Sequence, residues 1–570
     1  MDYTIKIGGE AGQGILTVGD TLARFFARSG HNVFTHQVYE SRIRGGHNIY
    51  QLRVADHPVA ASLTPVDILV ALDSASIALH ADELSGDGIV LYDAATLKQN
   101  HAQQNHLDIP FMRLAMEQAG NKIMANSVAT GAVLGLLGMK TDRLEDIFRQ
   151  LFKKEDLVAA NLKASSAGYS LAKDLCRLCR FSIPENADPR MLIQGNDAVG
   201  LGAIASGCKF YAAYPMTPST GIMLSIAARA KEHGIVIEQA EDEIAAINMA
   251  IGASYAGVRA MTASSGGGFA LMVEGLSLAA MTETPLVIGL VQRPGPATGL
   301  PTGTEQADLN FALYTAHGEF PRVLLAPGNP EQAFFLTNKA FDLAEKYQIP
   351  VFILSDQYLG DSQWTFDGFD TTKLVYRDYR LRGSAFSNLP SYKRHAYTDS
   401  GISPLAVPGD GPHAVITDSD EHNEMGNLVE DIETRNKMVD KRLLRKLPLI
   451  RAEMAPPELY GNARPEILLV GWGSTYGLLK EAVDRLSGSM HIAMLHFSEI
   501  YPLPLTEKLD YLSFLNNAKQ TICIENNATS QLARLLRTET GFLFNRHITK
   551  FDGRPFLLDE LVGEINAGTG

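Results

Sequence analysis

The chain has 570 residues, 45% of them hydrophobic and 20% charged, with a formal net charge of −14 at pH 7. That length exceeds a single hydrophobic core and predicts about three or four domains. The acidic balance excludes nucleic acid as the main partner, because phosphate binding needs a basic surface.

No apolar run approaches the roughly 20 residues of a membrane span. The first residues enter a strand pattern and lack a signal-peptide profile. With four cysteines a disulfide framework is excluded, and a cytoplasmic enzyme is the expected class.

Residues 1 to about 183 read as one α/β unit. A strand at 3–7 runs into Gly8-Gly9-Glu10-Ala11-Gly12-Gln13-Gly14, and a periodic helix follows until Ser29-Gly30. Further strands are expected at 33–36, 50–54, 68–71 and 88–92. Glycines between a strand and a helix let backbone N–H groups approach an anion. The loop is not a P-loop, since Ile15-Leu16 follows Gly14. It is not a dinucleotide fingerprint either, as no acidic residue ends the next strand. Tight packing of the turn and phosphate binding both stay open.

Glu40-Ser41-Arg42-Ile43-Arg44-Gly45-Gly46-His47 reads as a solvated turn or as a contact for an anionic substrate or a partner. Cys176 and Cys179 form a CxxC at a helix end, while Cys208 and Cys523 are isolated. Inert thiols are expected, since cluster and zinc ligands come in tighter groups; an iron–sulfur cluster would have to come from another chain. A proline-bearing polar linker occupies 181–189.

The second block, about 190–360, alternates strands at 209–214, 259–262, 286–291, 322–325 and 351–355 with helical patterns. This predicts a largely parallel sheet covered by helices on both faces. In Tyr214-Pro215-Met216-Thr217-Pro218-Ser219-Thr220, Thr217 is expected at a helix N-cap and Pro218 at the first helical position. Thr217 then reads either as a ligand for an acidic substrate or as a plain cap.

Glu243 opens a helix that runs on as Ile244-Ala245-Ala246-Ile247-Asn248-Met249-Ala250-Ile251-Gly252. Its apolar and small residues predict burial on several sides. A carboxylate entering such surroundings is desolvated, which favours the neutral acid. The alternative is that Glu243 only caps the helix. Glu241 and Asp242 read as solvated. Farther on, Gln292-Arg293-Pro294-Gly295-Pro296-Ala297-Thr298-Gly299-Leu300-Pro301-Thr302 is a shaped loop beyond a strand's carboxyl end, where α/β sheets place ligands. Arg293 offers a planar fork for a carboxylate.

Residues 361–462 read as an irregular connecting segment with a charged helix near 438–445. Asp420-Glu421-His422-Asn423-Glu424-Met425-Gly426 has no third or fourth ligand at metal spacing and reads as a structural loop. No metal ligand is expected on this chain. The last block, 463–570, restarts strand–helix alternation at Glu466-Ile467-Leu468-Leu469-Val470-Gly471-Trp472-Gly473.

These motifs resemble the 2-oxoacid:ferredoxin oxidoreductases. Gly-Gly-x-x-Gly-Gln-Gly and Glu-Ser-Arg-x-Arg-Gly-Gly are similar to the family's γ module, fused here ahead of the α module. The resemblance implies that Gly12, Gln13, Gly14, Arg42 and Arg44 frame a coenzyme A region. Tyr-Pro-x-Thr-Pro-Ser-Thr implies that Thr217 contacts substrate, with Tyr214 and Pro215 beside the cofactor. Glu243, with Gly252 nine residues on, resembles the pyrimidine-binding helix of thiamine enzymes, where a catalytic glutamate bonds the aminopyrimidine ring. Arg293 and Thr302 would hold the 2-oxoacid. Gly299-Leu300-Pro301-Thr302 followed by Thr304-Glu305-Gln306-Ala307-Asp308-Leu309 looks more like 2-oxoglutarate enzymes than pyruvate enzymes. Matches at 420–426, 435–442, 471–475, 501–504 and 525–527 extend the likeness over nearly the whole chain.

The implied fold is multidomain α/β. It comprises a γ-like domain at 1–183, a parallel-sheet, pyrimidine-type thiamine diphosphate domain at 190–360, the 361–462 segment and a transketolase C-terminal-like domain at 463–570. The implied reaction converts 2-oxoglutarate and coenzyme A to succinyl-CoA, or the reverse, with ferredoxin as electron carrier. Thiamine diphosphate with Mg2+ would be shared with a β subunit that also carries a [4Fe-4S] cluster, in an αβ or (αβ)2 assembly. Alternatives are the same reaction on pyruvate, 2-oxoisovalerate or indolepyruvate, or a non-catalytic scaffold.

Overall fold

Strands covered on both faces read as near-continuous apolar runs, and Leu286–Gln292 is buried at all seven residues. It lies near the middle of a seven-stranded sheet whose spatial order is Glu499–Tyr501, Val323–Leu325, Pro350–Asp356, Leu286–Gln292, Arg259–Ser264, Cys208–Ala213, Val236–Gln239. All neighbours are parallel except Glu499–Tyr501, which pairs antiparallel with Val323–Leu325. The edge strand Val236–Gln239, short and largely exposed, has too weak an apolar signal to be read from sequence.

The computed structural model describes residues 1–40, 46–101, 103–175, 181, 183–184 and 188–568. They divide into two units. One comprises Met1–Ile193, Ser362–Gly368 and Phe556–Gly570; the other comprises Gln194–Asp361 and Phe369–Pro555.

The second unit holds the seven-stranded sheet and a five-stranded one, ordered Glu458–Gly461, Ile492–Phe497, Ile467–Trp472, Gln520–Glu525, Arg546–Thr549. A continuous apolar core runs from Ile288 and Leu290 in the first sheet to Leu468, Trp472 and Phe497 in the second.

The first unit is built on a mixed sheet, ordered His106–Asp108, Leu84–Tyr92, Val66–Ala71, Asp2–Glu10, His47–Ala55, Asn32–Val38, Gln363–Phe366, Met191–Gln194. The strand Asp2–Glu10 continues through Gly8 and Gly9, beyond its expected end. A Cβ at Gly8 would press on Ser76 Oγ at 2.7 Å, so packing requires glycine there. Two distant segments complete this unit. Trp364 pairs with Phe34 across the sheet, their rings 5.1 Å apart. The helix Leu558–Ala567 is anchored where the Leu558 N–H donates to the Ser62 carbonyl at 3.0 Å.

The 361–462 segment contains more regular structure than its composition suggested: Ile432–Val439, a π-helical stretch Asp440–Arg445 and Lys446–Glu453 form successive helical pieces. Glu421 is engaged by Arg435 at 2.7 Å and by Arg442 at 2.8 Å, while the His422 ring packs at a 47° tilt against His395 with ring centres 4.0 Å apart. A buried ion cluster ties this segment to the residues after helix Val273–Met281. Lys441 Nζ donates to both oxygens of Glu283 at 2.7 and 2.9 Å, and Lys446 Nζ lies 3.4 Å away. Desolvation alone would raise the Glu283 pKa, but the two lysines hold it well below the carboxylate range. Removing one partner of a buried pair strands the remaining charge at a cost of about 3–5 kcal/mol. Glu283→Gln is therefore expected to lower unfolding stability by about that amount, read from the denaturant midpoint; an unchanged midpoint would show that the cluster contributes nothing.

Candidate active site

The carboxyl ends of the parallel strands Cys208–Ala213, Arg259–Ser264 and Leu286–Gln292 lead directly into Tyr214, Ser265 and Arg293. Loops at this edge are where a parallel sheet gathers a ligand site.

Glu243 is the first residue of helix Glu243–Tyr255 and is 3% exposed. It does not cap that helix. Asp242, expected to be solvated, takes the cap: its Oδ1 accepts from the Ala245 N–H at 2.7 Å. Glu243 is thus free to point elsewhere, and Ser264 Oγ donates to its Oε1 at 3.3 Å. A Cβ on Gly268 would collide with both Glu243 Oε1 and Ser264 Oγ. Burial of the helix is one-sided, contrary to expectation: Ile244, Asn248, Met249 and Gly252 are exposed along one face. The other face packs Ala246, Ile247, Ala250 and Ile251 into the core. An apolar sequence fixes which residues avoid water, not whether this chain or another covers them.

Thr217 is not a helix cap. The helix begins at Thr220 with Ser219 before it. Ser219 Oγ donates to the Met216 carbonyl at 2.7 Å, and Asn196 Nδ2 donates to the Pro218 carbonyl at 3.0 Å. These bonds hold a turn where a first helical turn was expected. The Thr217 carbonyl accepts from Arg293 at 2.6 Å, which brings the two residues together. Met216 Sδ lies 3.8 Å from Ser264 Oγ, linking this turn to Glu243. Tyr214 is exposed and Pro215 half-buried at the same strand end. Thr302 is half-buried on the Arg293 loop, but no hydrogen bond joins it to Thr217, Glu243 or Arg293 among the described residues.

Buried amides shape that loop. Gln292 Nε2 donates to the Ser355 carbonyl at 3.0 Å, and its Oε1 accepts from the Asp308 N–H at 2.9 Å. Gln306 Nε2 donates to the Trp472 carbonyl at 2.8 Å, and its Oε1 accepts from the Asn526 N–H at 3.0 Å. Burial pushes the Asp308 pKa up to about 6, against the opposing pull of Arg293. Burial, then Asp308, push Glu305 up to about 7. Ser264, Asp308 and the Gly266-Gly267-Gly268 turn escaped the sequence reading. Three consecutive glycines after a strand were the available signal of a close approach.

In the first unit, Gly12 and Gly14 have φ of 94° and 82°, in the left-handed region. A Cβ at Gly14 would overlap Asn126, whereas Gly12 faces open space. Gln13 Oε1 folds back to accept from the Glu10 N–H at 2.8 Å. Packing accounts for Gly14. Arg42, Arg44, Cys176 and Cys179 lie outside the described residues. Cys208 and Cys523 are buried and free. Among the described residues no group of three His, Cys, Asp or Glu could hold a metal, and no helix is long and apolar enough to cross a membrane.

Two family profiles match the chain: pyruvate flavodoxin/ferredoxin oxidoreductase, thiamine diP-bdg, over residues 201–441, and pyruvate ferredoxin/flavodoxin oxidoreductase over residues 4–171. The chain is 31% identical to the 2-oxoacid:ferredoxin oxidoreductase subunit alpha of Saccharolobus solfataricus, covering 100% of this chain and 98% of that one. It is 28% identical to the 2-oxoglutarate oxidoreductase subunit KorA of Mycobacterium tuberculosis, over 99% and 91% of the two chains. Among solved structures it is similar to the 2-oxoglutarate:ferredoxin oxidoreductase of Magnetococcus marinus with 2-oxoglutarate, coenzyme A and succinyl-CoA bound. That match has a TM-score of 0.91 at 31% identity and covers 100% of both chains. The chain belongs to the 2-oxoacid:ferredoxin oxidoreductase family.

Proposed function

We propose that this chain is the α subunit of a cytoplasmic enzyme that oxidatively decarboxylates 2-oxoglutarate to succinyl-CoA, or runs the reverse carboxylation. In the forward direction, substrate and coenzyme A give succinyl-CoA and CO2, and two electrons pass to ferredoxin through a cluster on the β subunit. The carrying observation is a buried glutamate released from capping by its neighbour and set at the carboxyl edge of a parallel sheet. The 2-oxoglutarate named for the Magnetococcus and Mycobacterium relatives supports the choice of substrate.

The residues fit thiamine diphosphate. Glu243 is buried with a single hydroxyl contact among the described residues, and Gly268 leaves open the space beside it that a side chain would fill. When bound, the cofactor supplies a carbon nucleophile for the 2-oxo carbon and an electron sink for decarboxylation. Glu243 would hold the proton shared with the aminopyrimidine, with Ser264 orienting its Oε1 and Tyr214 and Pro215 alongside. Arg293, Thr217 and Thr302 would bind the 2-oxoacid. The diphosphate and its Mg2+ would be held by the β subunit. The exposed apolar face at Ile244, Met249 and Gly252 supports a covering chain in an αβ or (αβ)2 assembly. In the first unit, the open loop at Gly12, with Gln13 and Gly14, supports a coenzyme A region that Arg42 and Arg44 would complete.

The test is anaerobic, coenzyme A-dependent dye reduction by the complex copurified with its β subunit. Activity with 2-oxoglutarate well above that with pyruvate is expected; the opposite preference would keep the chemistry and overturn the substrate. Glu243→Gln should lower kcat at least about 100-fold, the scale of a lost proton-transfer group, and full turnover would refute its role. Arg293→Ala should raise KM for 2-oxoglutarate about 10- to 100-fold, from a lost hydrogen bond to a charged group worth about 1.5–3 kcal/mol. An unchanged KM would remove Arg293 from the site.

A further inference from the structure

Asp308 stands at the N-cap of helix Leu309–Tyr314 yet makes no side-chain cap bond. Aspartate in that position is among the best caps, and capping contributes about 1 kcal/mol. Asp242, Asp73, Asp93, Asn329, Asp431 and Asp510 all use theirs. The Asp308 side chain turns instead toward Gly266, where a Cβ would overlap its Oδ2. The same three-glycine turn meets Glu243 at Gly268, so the turn is flanked by a carboxyl group at each end. Asp308 Oδ2 is buried without a hydrogen-bond partner among the described residues, and so is Nε of Arg293. Each such orphan costs about 1–3 kcal/mol unless a ligand or water satisfies it.

We propose that Asp308 is a substrate-binding acid of this site, beside Arg293, carrying a proton and donating it in a hydrogen bond to a carboxylate of the bound 2-oxoacid. The inference rests on the assignment of Arg293 to the substrate. Among the described residues, Arg293, on the loop after strand Leu286–Gln292, and Glu305, on its own loop, act on Asp308, while Glu243 stands at the other end of the glycine turn. Burial already favours the protonated acid, and a bound anion favours it further. Substrate binding then takes up a proton, and the substrate is held less well as pH rises and the acid ionises.

The test uses the αβ complex and measures kcat and KM for 2-oxoglutarate from about pH 6 to 8.5 in wild type, Asp308→Asn, Asp308→Ala and Arg293→Ala. Wild-type KM is expected to rise by up to about tenfold per pH unit above about pH 6.5. Asp308→Asn keeps a donor but cannot titrate, so its KM should be nearly flat with kcat within about threefold. Asp308→Ala should raise KM about tenfold or more at pH 6. An Asp308→Asn variant that keeps the wild-type pH slope, or an Asp308→Ala variant with unchanged KM at pH 6, overturns the proposal and leaves water alone at Oδ2. Arg293→Ala separates the two failures. A raised KM there beside inert Asp308 variants removes only Asp308, whereas no effect in any variant removes the substrate site as well.

Discussion

A carboxylate buried at the entrance of an apolar helix has to be kept from the task such a position usually performs. Helix N-termini expose unpaired N–H groups that draw any nearby acid into capping. In this chain Asp242 satisfies the Ala245 N–H, so Glu243 can turn toward Ser264 and the glycine turn. The adjacent acids divide the work. The rest of the site is arranged about that carboxylate: the Thr217 turn approaches it through Met216 and Ser264, and Arg293 is tied to the Thr217 carbonyl.

The Arg293 loop has little regular structure, so its shape must come from fixed side chains. Gln292 and Gln306 are both fully buried, and each amide spans two backbone segments. Buried amides of this kind are costly when unsatisfied, which makes the loop's alternatives expensive. Gln306 also bonds Trp472 and Asn526, so the 463–555 region helps to set the Arg293 loop without contributing a proposed ligand.

The exposed side of helix Glu243–Tyr255 bears on assembly. Ile244 and Met249 remain 47% and 37% exposed, beside the acid on which the proposed chemistry depends. An apolar surface next to a buried carboxylate gains both stability and a drier site when another chain covers it. That argument fits a subunit that works only as part of a complex.

Apolar runs bounded by glycine turns determined five strands of the parallel sheet at 208–356, all but the exposed edge strand Val236–Gln239, because a two-sided strand needs apolar residues at nearly every position. Local motifs marked Glu243, Thr217 and Arg293 as unusual, since their residue types are conspicuous next to short apolar elements. Sequence alone did not decide that Asp242 caps the helix, that Thr217 lies in a turn, or that Asp308 leaves its cap to face Gly266. Nor did it show that Ser362–Gly368 and Phe556–Gly570 join the N-terminal unit. Those outcomes depend on hydrogen bonds and packing between residues far apart in the chain, such as Trp364 with Phe34 and Leu558 with Ser62. A local pattern can specify which groups need partners, but only the tertiary structure selects the partners.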